Sequence, residues 1–352
     1  MIVPGGPMAR CFVFLAVLLV PWAIAASPVA TLVSLEGEVT VVRNGQLFPS
    51  EKVVEGFALE GFDTVTTGAT GRAEVRFSPA TGLTGSLRLD PSTSLYLDLS
   101  SLRAEQVAGV ELLTGSVSVR LAALAGTSGL EVRTEWGTFG GAGREFRVVL
   151  APAGDVLVLA AAGKVQCWVE SRVLFIEPGS VAEVLAVERS VRTFRVNTST
   201  LGSTEVSWTF QRRQGFRDRA VAYFRFLGSR YQLQASQFQR AWERTQREAG
   251  DGSAPGATAN LRRSAFPLER SLFRIVALKQ LFDDGVLDPG VELNRGYTAQ
   301  DFFRQFTQER DTSTARLAQA RALYRQQADQ RGGGFPKASE GLDITSGSAY
   351  FH

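Results

Sequence analysis

Few side chains of this sequence could serve as a general base, a nucleophile or a metal ligand. The 352 residues include a single histidine, His352, and two cysteines. Triads, zinc cages and acid–base pairs that depend on imidazole cannot be built around one histidine at the last position of the sequence. The composition therefore argues against most hydrolase and zinc chemistry, and we expect no metal ion and no cofactor.

Neither cysteine is placed where a reactive thiol is expected. Cys11 begins an apolar N-terminal run, whereas a lipid-anchored cysteine would follow such a run. Cys167 lies in the apolar run Val165–Val169, with no second cysteine or histidine nearby to lower its pKa. We predict that Cys167 is a small buried core residue and that the fold does not depend on a disulfide.

Two further motifs resemble ligand sites only in part. The glycine-rich run 137–143 could approach a phosphate, but no lysine and no predicted helix follow it. Asp283, Asp284 and Asp288 offer three carboxylates, but their spacing is too short for a calcium loop and the closing glutamate is missing. We interpret the first motif as a loop and the second as a solvated helix end.

The N-terminal segment has the pattern of a secretory signal peptide over residues 1–26. Arg10 precedes an apolar run that ends in small residues, and cleavage is expected after Ala25 or Ala26. The run of about 14 apolar residues is shorter than the ~20 that a spanning helix needs. We therefore expect a periplasmic or otherwise exported protein with no membrane span after cleavage, and a retained anchor is the alternative.

Residues 27–200 have the alternating pattern of short strands separated by turns. Short runs of alternating or β-branched apolar residues recur along this region, and Gly, Pro, Asn and Asp separate the runs. The pair Asn44 and Gly45 is a strong hairpin signal, because both residues tolerate positive φ. The pattern predicts an all-β domain, and it leaves a solenoid, a roll and a sandwich open.

Residues 210–331 change to helical periodicity, so we predict a mainly β N-terminal domain followed by an all-α region. Helices are expected at about 212–249, 265–284 and 298–330, with a flexible linker at 250–259 and a disordered tail at 332–352. The first helix carries an apolar stripe that we interpret as the seam of a helical bundle, formed by Phe216, Tyr223, Leu227, Tyr231, Phe238 and Trp242.

The two regions differ in charge. Residues 26–199 carry 15 basic and 19 acidic side chains, whereas residues 200–352 carry 22 basic and 16 acidic ones. Opposite net charges could draw the two regions together or draw each of them to a different partner. Arginine outnumbers lysine 34 to 4, which we interpret as the base composition of the genome. No basic run is interleaved with aromatic residues, so no nucleic-acid partner is expected.

A series of short turn and strand motifs runs in order through the predicted β domain. Its members are Gly37, Gly45, Gly61, Asp63, Thr67, Gly68, Gly71, Ala73, Gly115, Gly143, Phe146, Gly163 and Gly179. Over residues 30–190 approximately, the series resembles the FecR domain of exported bacterial proteins. Two positions depart from the family pattern: Arg144 stands where the family has threonine, and Phe62 separates Gly61 from Asp63.

The resemblance implies a β fold outside the cytoplasm that serves in binding or scaffolding. The best-known family members transmit iron-uptake signals and have a cytoplasmic anti-sigma segment before a membrane helix. Here the β domain directly follows the signal sequence, so that function is not carried over. The motif residues are interpreted as architecture rather than as ligand contacts, because turn glycines and a turn aspartate explain them.

Three functions fit the sequence to different degrees. The leading hypothesis is a non-enzymatic envelope protein whose helical region binds an envelope protein partner or a second copy of the chain. The second is a periplasmic signalling regulator that acts through a membrane partner. The third is a carboxylate-dependent enzyme acting on envelope glycans, which requires an acidic pair in one cleft that no spacing in the sequence provides.

Export of the chain can be tested by N-terminal sequencing of the protein isolated from the cell envelope. The first residue of the mature chain is expected to be Ala26 or Ser27, because the small residues before them suit a signal peptidase. Recovery of a chain that still begins at Met1 would show instead that the apolar segment is retained.

Overall fold

A computed structural model describes most of the chain: residues 28–43, 46–98, 108–122, 129–141, 144–186, 188, 190–250 and 255–330. Four of the sequence predictions fall outside these residues. They are the signal peptide, the hairpin at Asn44 and Gly45, the motif residue Gly143 and the tail 332–352.

The N-terminal region forms one mixed sheet of seventeen strands. The strands are β1 (Ala30–Glu36), β2 (Val39–Arg43), β3 (Gln46–Phe48), β4 (Ala58–Leu59), β5 (Thr64–Thr67), β6 (Arg72–Phe77), β7 (Gly85–Leu89), β8 (Ser94–Asp98), β9 (Ala108–Leu121), β10 (Leu130–Thr134), β11 (Gly137–Gly141), β12 (Glu145–Leu150), β13 (Val156–Ala162), β14 (Val165–Val169), β15 (Arg172–Ile176), β16 (Ser180–Leu185) and β17 (Ser190–Arg195).

The long strand β9 divides this sheet into two leaves. Its first half pairs with β8 and, in parallel, with β10, whereas its second half pairs with β7 and β12. The first leaf continues from β7 through β6 to β1 and from β12 through β13 and β16 to β17. The second leaf runs from β3 through β2, β5 and β8 to β9, and then through β10, β11 and β14 to β15.

Gly115 lies where β9 passes from one leaf to the other. Its φ of +83° is a left-handed conformation, and a Cβ there would lie 2.3 Å from Oγ1 of Thr93. That hydroxyl closes the bend, since it donates to the carbonyl of Ser116 at 3.1 Å and accepts from the amide of Ser116 at 2.9 Å. Only glycine fits a backbone of this conformation so close to a neighbouring strand.

One apolar core lies between the two leaves. Alternate residues of the strands point into it, as with Leu32 and Val75 of the first leaf and Val41 and Leu95 of the second, each fully buried. The prediction of a β region followed by helices is confirmed. Of the three β architectures left open by the sequence, two leaves around one core correspond to the sandwich.

The C-terminal region contains α1 (Leu201–Gly250), α2 (Pro255–Asp283), the short strands β18 (Glu292–Asn294) and β19 (Tyr297–Thr298), and α3 (Ala299–Gln330). The start of α3 is a capping box, because Thr298 and Asp301 exchange side-chain and backbone hydrogen bonds of 2.8–3.3 Å.

Two predicted helix boundaries are wrong. Helix α1 begins at Leu201 rather than near residue 212, because its first turns are held by the sheet and only Trp208 among them is buried, so they show no apolar stripe. Helix α2 begins at Pro255, inside the predicted flexible linker. Proline suits the first position of a helix, where its missing N–H is not needed.

The three helices pack through the predicted aromatic seam. Phe216, Tyr223, Leu227, Tyr231 and Phe238 are buried, and Trp242 is half-buried at the edge of the same cluster. The seam meets α3 at ring pairs such as Phe224 with Phe303, whose centroids are 5.3 Å apart. On α3, Phe306, Leu317 and Ala320 are buried and Phe302 is half-buried, whereas the side chain of Tyr324 is outside the described residues. In the described part of the chain, no helix is long and apolar enough to cross a membrane.

The bend in β9 can be tested with two glycine-to-alanine variants. Gly115→Ala should lower the free energy of unfolding by on the order of 2 kcal/mol, because the new Cβ meets Thr93 in a left-handed backbone. The control Gly215→Ala, in α1, meets no atom within 4 Å and should leave stability unchanged or raise it by about 0.5–1 kcal/mol. Urea unfolding measures both, and equal stability of the two variants would refute the account of the bend.

Candidate functional site at the boundary of sheet and helices

The first turns of α1 lie on the outer face of the first leaf. Trp208, which is 5% exposed, packs there with Leu201 against a small apolar cluster separate from the core between the leaves. The cluster comprises Val149, Ala151, Leu157, Leu159, Val181 and Val196. This apolar contact joins the helical region to the sheet.

Ion pairs surround the contact, and nearly all of them join an acid of the β region to an arginine of the helices. The pairs are Arg212 with Asp155 and Glu183, Arg219 with Glu188, Arg230 and Arg274 with Glu135, and Arg270 with Glu111. One pair runs the other way, from Arg147 of β12 to Glu205 of α1. The opposite net charges of the two regions therefore meet at this boundary.

Glu135 is the most enclosed acid of the boundary. It follows β10 in a turn, its side chain is 6% exposed, and it pairs with both Arg230 and Arg274. Burial alone would raise its pKa, but the positive charges of Arg274, Arg230 and Arg270 outweigh burial and lower it. Glu135 is therefore ionised and held by more than one cation.

Glu183 and Asp155 share Arg212, but their pKa values shift in opposite directions. Burial would raise the pKa of Glu183, but hydrogen bonds from Arg192 and from Trp208 Nε1, at 2.7 Å, lower it. Burial raises the pKa of Asp155, although its Oδ1 accepts from the amide of Ala186 at 2.9 Å. Both oxygens of each carboxylate accept hydrogen bonds from protein groups, so both acids are held in fixed positions at the boundary.

Two clefts flank Arg212. A cleft of about 150 Å³ lies between α1 and the loop before β13, lined on the loop side by Ala153 and Asp155. A larger groove of about 510 Å³ lies between β17 and α1. We call the larger one the β17 groove. Its volume is within the usual range of ligand sites, ~300–1,000 Å³, but it is a surface groove at the edge of the sheet.

Beside the smaller cleft, two buried donors meet Gly154. The hydroxyl of Tyr223 and Nε1 of Trp136 have no hydrogen-bond partner among the described residues, and burial raises the pKa of Tyr223. A Cβ on Gly154, whose φ is +91°, would lie 2.5 Å from the hydroxyl and 3.1 Å from Nε1. The close packing leaves no room there for a larger residue.

The motif residues lie within the sheet, and none of those described lines either cleft. Asp63 is 1% exposed and accepts from Arg43 Nη2 at 2.7 Å. Gly71 passes so close to Glu38 that a Cβ would lie 2.2 Å from its carbonyl oxygen. The remaining described members are placed as follows: Gly37, Gly163 and Gly179 in turns, Gly61 and Gly68 beside β5, Thr67 in β5, Ala73 in β6, Gly115 in β9 and Phe146 in β12.

One expected turn role is wrong. The left-handed residue of the turn before β5 is Phe62, with φ of +73°, whereas Gly61 has no such conformation. Contact between the rings of Phe62 and Tyr96, whose centroids are 6.2 Å apart, offsets part of the cost of this left-handed backbone. The insertion of Phe62 between Gly61 and Asp63 thus changes which residue carries the turn.

The other candidates from the sequence do not form a site. Cys167 is fully buried, and burial raises its pKa to about 12, so its thiol stays protonated. The described part of the glycine-rich run is strand β11. Asp283 pairs with Lys279, Asp284 pairs with Arg213, and Asp288 accepts from the amide of Gly290. Within the described ranges, no group of three acidic, cysteine or histidine side chains could hold a metal ion.

The buried acids of the boundary were not among the residues predicted from the sequence. Glu183 is an acid in the strand Ser180–Leu185, all of whose residues are buried. An ionised group inside such an apolar run needs a cation from elsewhere in the fold, and that requirement was the available signal.

Comparisons with known proteins give little information about this chain. No protein-family model matches the chain, and no curated protein matches it. Among solved structures, the chain is similar to two crystal structures, at 2.50 Å and 1.65 Å resolution, of a "putative anti-sigma factor" from Parabacteroides distasonis ATCC 8503. Both similarities have 14% identity and a TM-score of 0.35, and they cover 40% of this chain and 62% or 64% of the other. The chain thus spans less than two thirds of those proteins, and similarity at this level supports no conclusion about its function.

The buried ion pairs can be tested with one substitution. Glu135→Gln should lower the free energy of unfolding by about 3 kcal/mol, because Arg230 and Arg274 keep their charge but lose the carboxylate between them. In the control Glu145→Gln the lost pair with Arg120 is exposed, at 44% and 76%, so the loss should stay below about 1 kcal/mol. Urea unfolding distinguishes them, and equal losses would show that Glu135 is not a buried partner.

The ionisation of Glu135 also predicts that the stability difference between wild type and Glu135→Gln depends on pH. The folded-state pKa of Glu135 is lowered from 4.5, so its contribution is present above pH 4.5 and is lost as the pH falls through the lowered value. The stability difference between wild type and Glu135→Gln should therefore be full at about pH 7 and shrink towards about pH 3. A difference that stayed constant over this range would contradict the assigned ionisation.

Proposed function

We propose that the chain is a non-enzymatic exported protein of the cell envelope that binds a partner protein. The sheet and the helices act as one rigid scaffold. The proposal that the β region is FecR-like depends on the ordered sequence motifs alone, and export depends on the signal-like N-terminal segment.

The observation that carries the binding role is an exposed apolar surface at the start of α1. Val206 and Phe210 are 69% and 62% exposed, and as residues four apart they lie on the same side of the helix. Phe194 of β17, the strand that borders the groove beside α1, is 39% exposed. Large apolar side chains clustered on a rigid element are typical of protein interaction sites.

The ionised groups near this surface are better explained by structure than by catalysis. Glu183 accepts from Trp208 and from two arginines, and Asp155 is bound by Arg212 and by a backbone amide. Groups held this way stabilise the docked helix and keep the apolar surface in a fixed position. This supports a scaffold over a glycan-cleaving enzyme.

The binding role can be tested by affinity capture from envelope extract with the tagged mature chain. A partner quantified by mass spectrometry should be recovered about tenfold less with the double variant Val206→Glu and Phe210→Glu, because carboxylates replace the apolar contact. The control Val276→Glu changes a residue on α2 that is 43% exposed and should capture as wild type does. No specific partner, or equal capture by the double variant, would contradict the proposal.

A further inference from the structure

We propose that β17 binds an extended acidic segment of a partner protein by strand addition, with alternate side chains of that segment entering the β17 groove. This rests on the proposed binding function and assigns it a site, a binding mode and a partner chemistry.

The outer edge of β17 is open. Among the described strands, β17 pairs with β16 alone, from Ser190 opposite Leu185 to Arg195 opposite Ser180. The amide of Val196 donates to the carbonyl of Gly179 at 2.8 Å, so the N–H of Val196 points towards β16. Because backbone direction alternates along a strand, the N–H and C=O groups of Val191, Thr193 and Arg195 point away from the sheet.

The side chains of the alternate residues form the floor of the β17 groove. Arg192, Phe194 and Val196 line it from the strand side, at spacings of two residues. Helix α1 supplies the opposite wall, which is formed by Ser203, Thr204, Ser207, Trp208, Gln211 and Arg212. Glu183 of β16 also lines the groove, but it is outnumbered there by Arg192 and Arg212, with which it pairs. A strand added to β17 would place every second side chain on this same face, and therefore in the groove.

The strand itself selects the chemistry of the added segment. β17 carries Arg192 and Arg195 and no acidic residue. The side chain of Arg192 is 61% exposed although it pairs with Glu183. Arg195 is exposed and forms no ion pair with a described residue. A carboxylate opposite Arg192 and apolar residues opposite Phe194 and Val196 would complement the three groove positions.

Charge also decides between a foreign segment and a second copy of this chain. Pairing of two β17 strands would bring four arginines together on adjacent strands without an acidic residue on either. Such repulsion protects an open edge from self-association, which is a common role of basic residues on edge strands. The occupant that fits is an acidic segment from another protein.

The test measures binding of a labelled peptide to the full mature chain by fluorescence anisotropy. The peptide alternates threonine with glutamate, leucine, isoleucine and a second glutamate, so that either strand direction can place an acid opposite Arg192. Its matched control has lysine in place of both glutamates. We expect the acidic peptide to bind about tenfold or more tightly than the lysine peptide, and increasing salt to weaken it.

Two variants locate the contact. Thr193→Pro removes an outward N–H and leaves the hydrogen bonds to β16 in place, so it should weaken binding of the acidic peptide about tenfold or more. Thr193→Val keeps the N–H and should bind the peptide as wild type does. Phe194→Ser removes the apolar side chain from the groove and should weaken binding even if the proline variant proves unstable. Thermal melting verifies that each variant is folded.

Several results would overturn the strand addition. These are no binding of the acidic peptide, equal binding of the lysine peptide, unchanged binding by Phe194→Ser, or unchanged binding by a folded Thr193→Pro variant. A wild-type dimer in sedimentation that the proline variant abolishes would assign the edge to a second copy instead. If envelope extract yields a partner that Thr193→Pro still captures, strand addition fails and the binding function stands. If the peptide binds but extract yields no partner, the site stands and the proposed function fails.

Discussion

The fold depends on acids of the sheet that can be buried only when the helices are docked. The side chains of Glu135, Glu183 and Asp155 are at most 7% exposed. Burying an ionised carboxylate costs several kcal/mol unless cations and hydrogen bonds compensate. Arginines of α1 and α2 supply most of that compensation. The sheet without its helices would expose the apolar cluster under Trp208 and leave these acids without their cations, so we regard the two regions as one structural unit.

The apolar and ionic contacts of the boundary contribute differently to the docking of α1. Burial of Trp208 and the aliphatic residues beneath it is favourable by about 1.5–3 kcal/mol for each large side chain. A buried ion pair gains little net stability, but loss of one partner costs about 3–5 kcal/mol. The apolar cluster therefore favours docking, and the ion pairs penalise any shift of α1 along the sheet. The position of α1 fixes one wall of the β17 groove, so the geometry of the proposed binding site depends on the ion pairs of Arg212, which itself lines that groove.

The sequence predicted local structure better than it predicted this boundary. Strand alternation and the aromatic seam are local patterns, and they appear where expected. The first turns of α1 were missed because only Trp208 is buried there, too little for a periodic signal. The charge difference between the regions was consistent with docking, but no pattern pairs Glu135 with arginines far along the chain, because such partners are set by tertiary packing. The short strands β18 and β19 were missed for lack of any run of strand residues.

The preference for arginine acquires a physical reason at the same boundary, beyond the base composition to which we attributed it. Arg212 binds Asp155 through Nη1 and Glu183 through Nη2, so one side chain compensates an acid of the loop before β13 and an acid of β16. A lysine ammonium is a point charge, and it loses its proton far more readily when buried. Arginine remains charged under burial and presents its donors in a fixed plane. Such a side chain lets a single helix position bridge β16 and the loop before β13, and this bridging holds α1 beside β17.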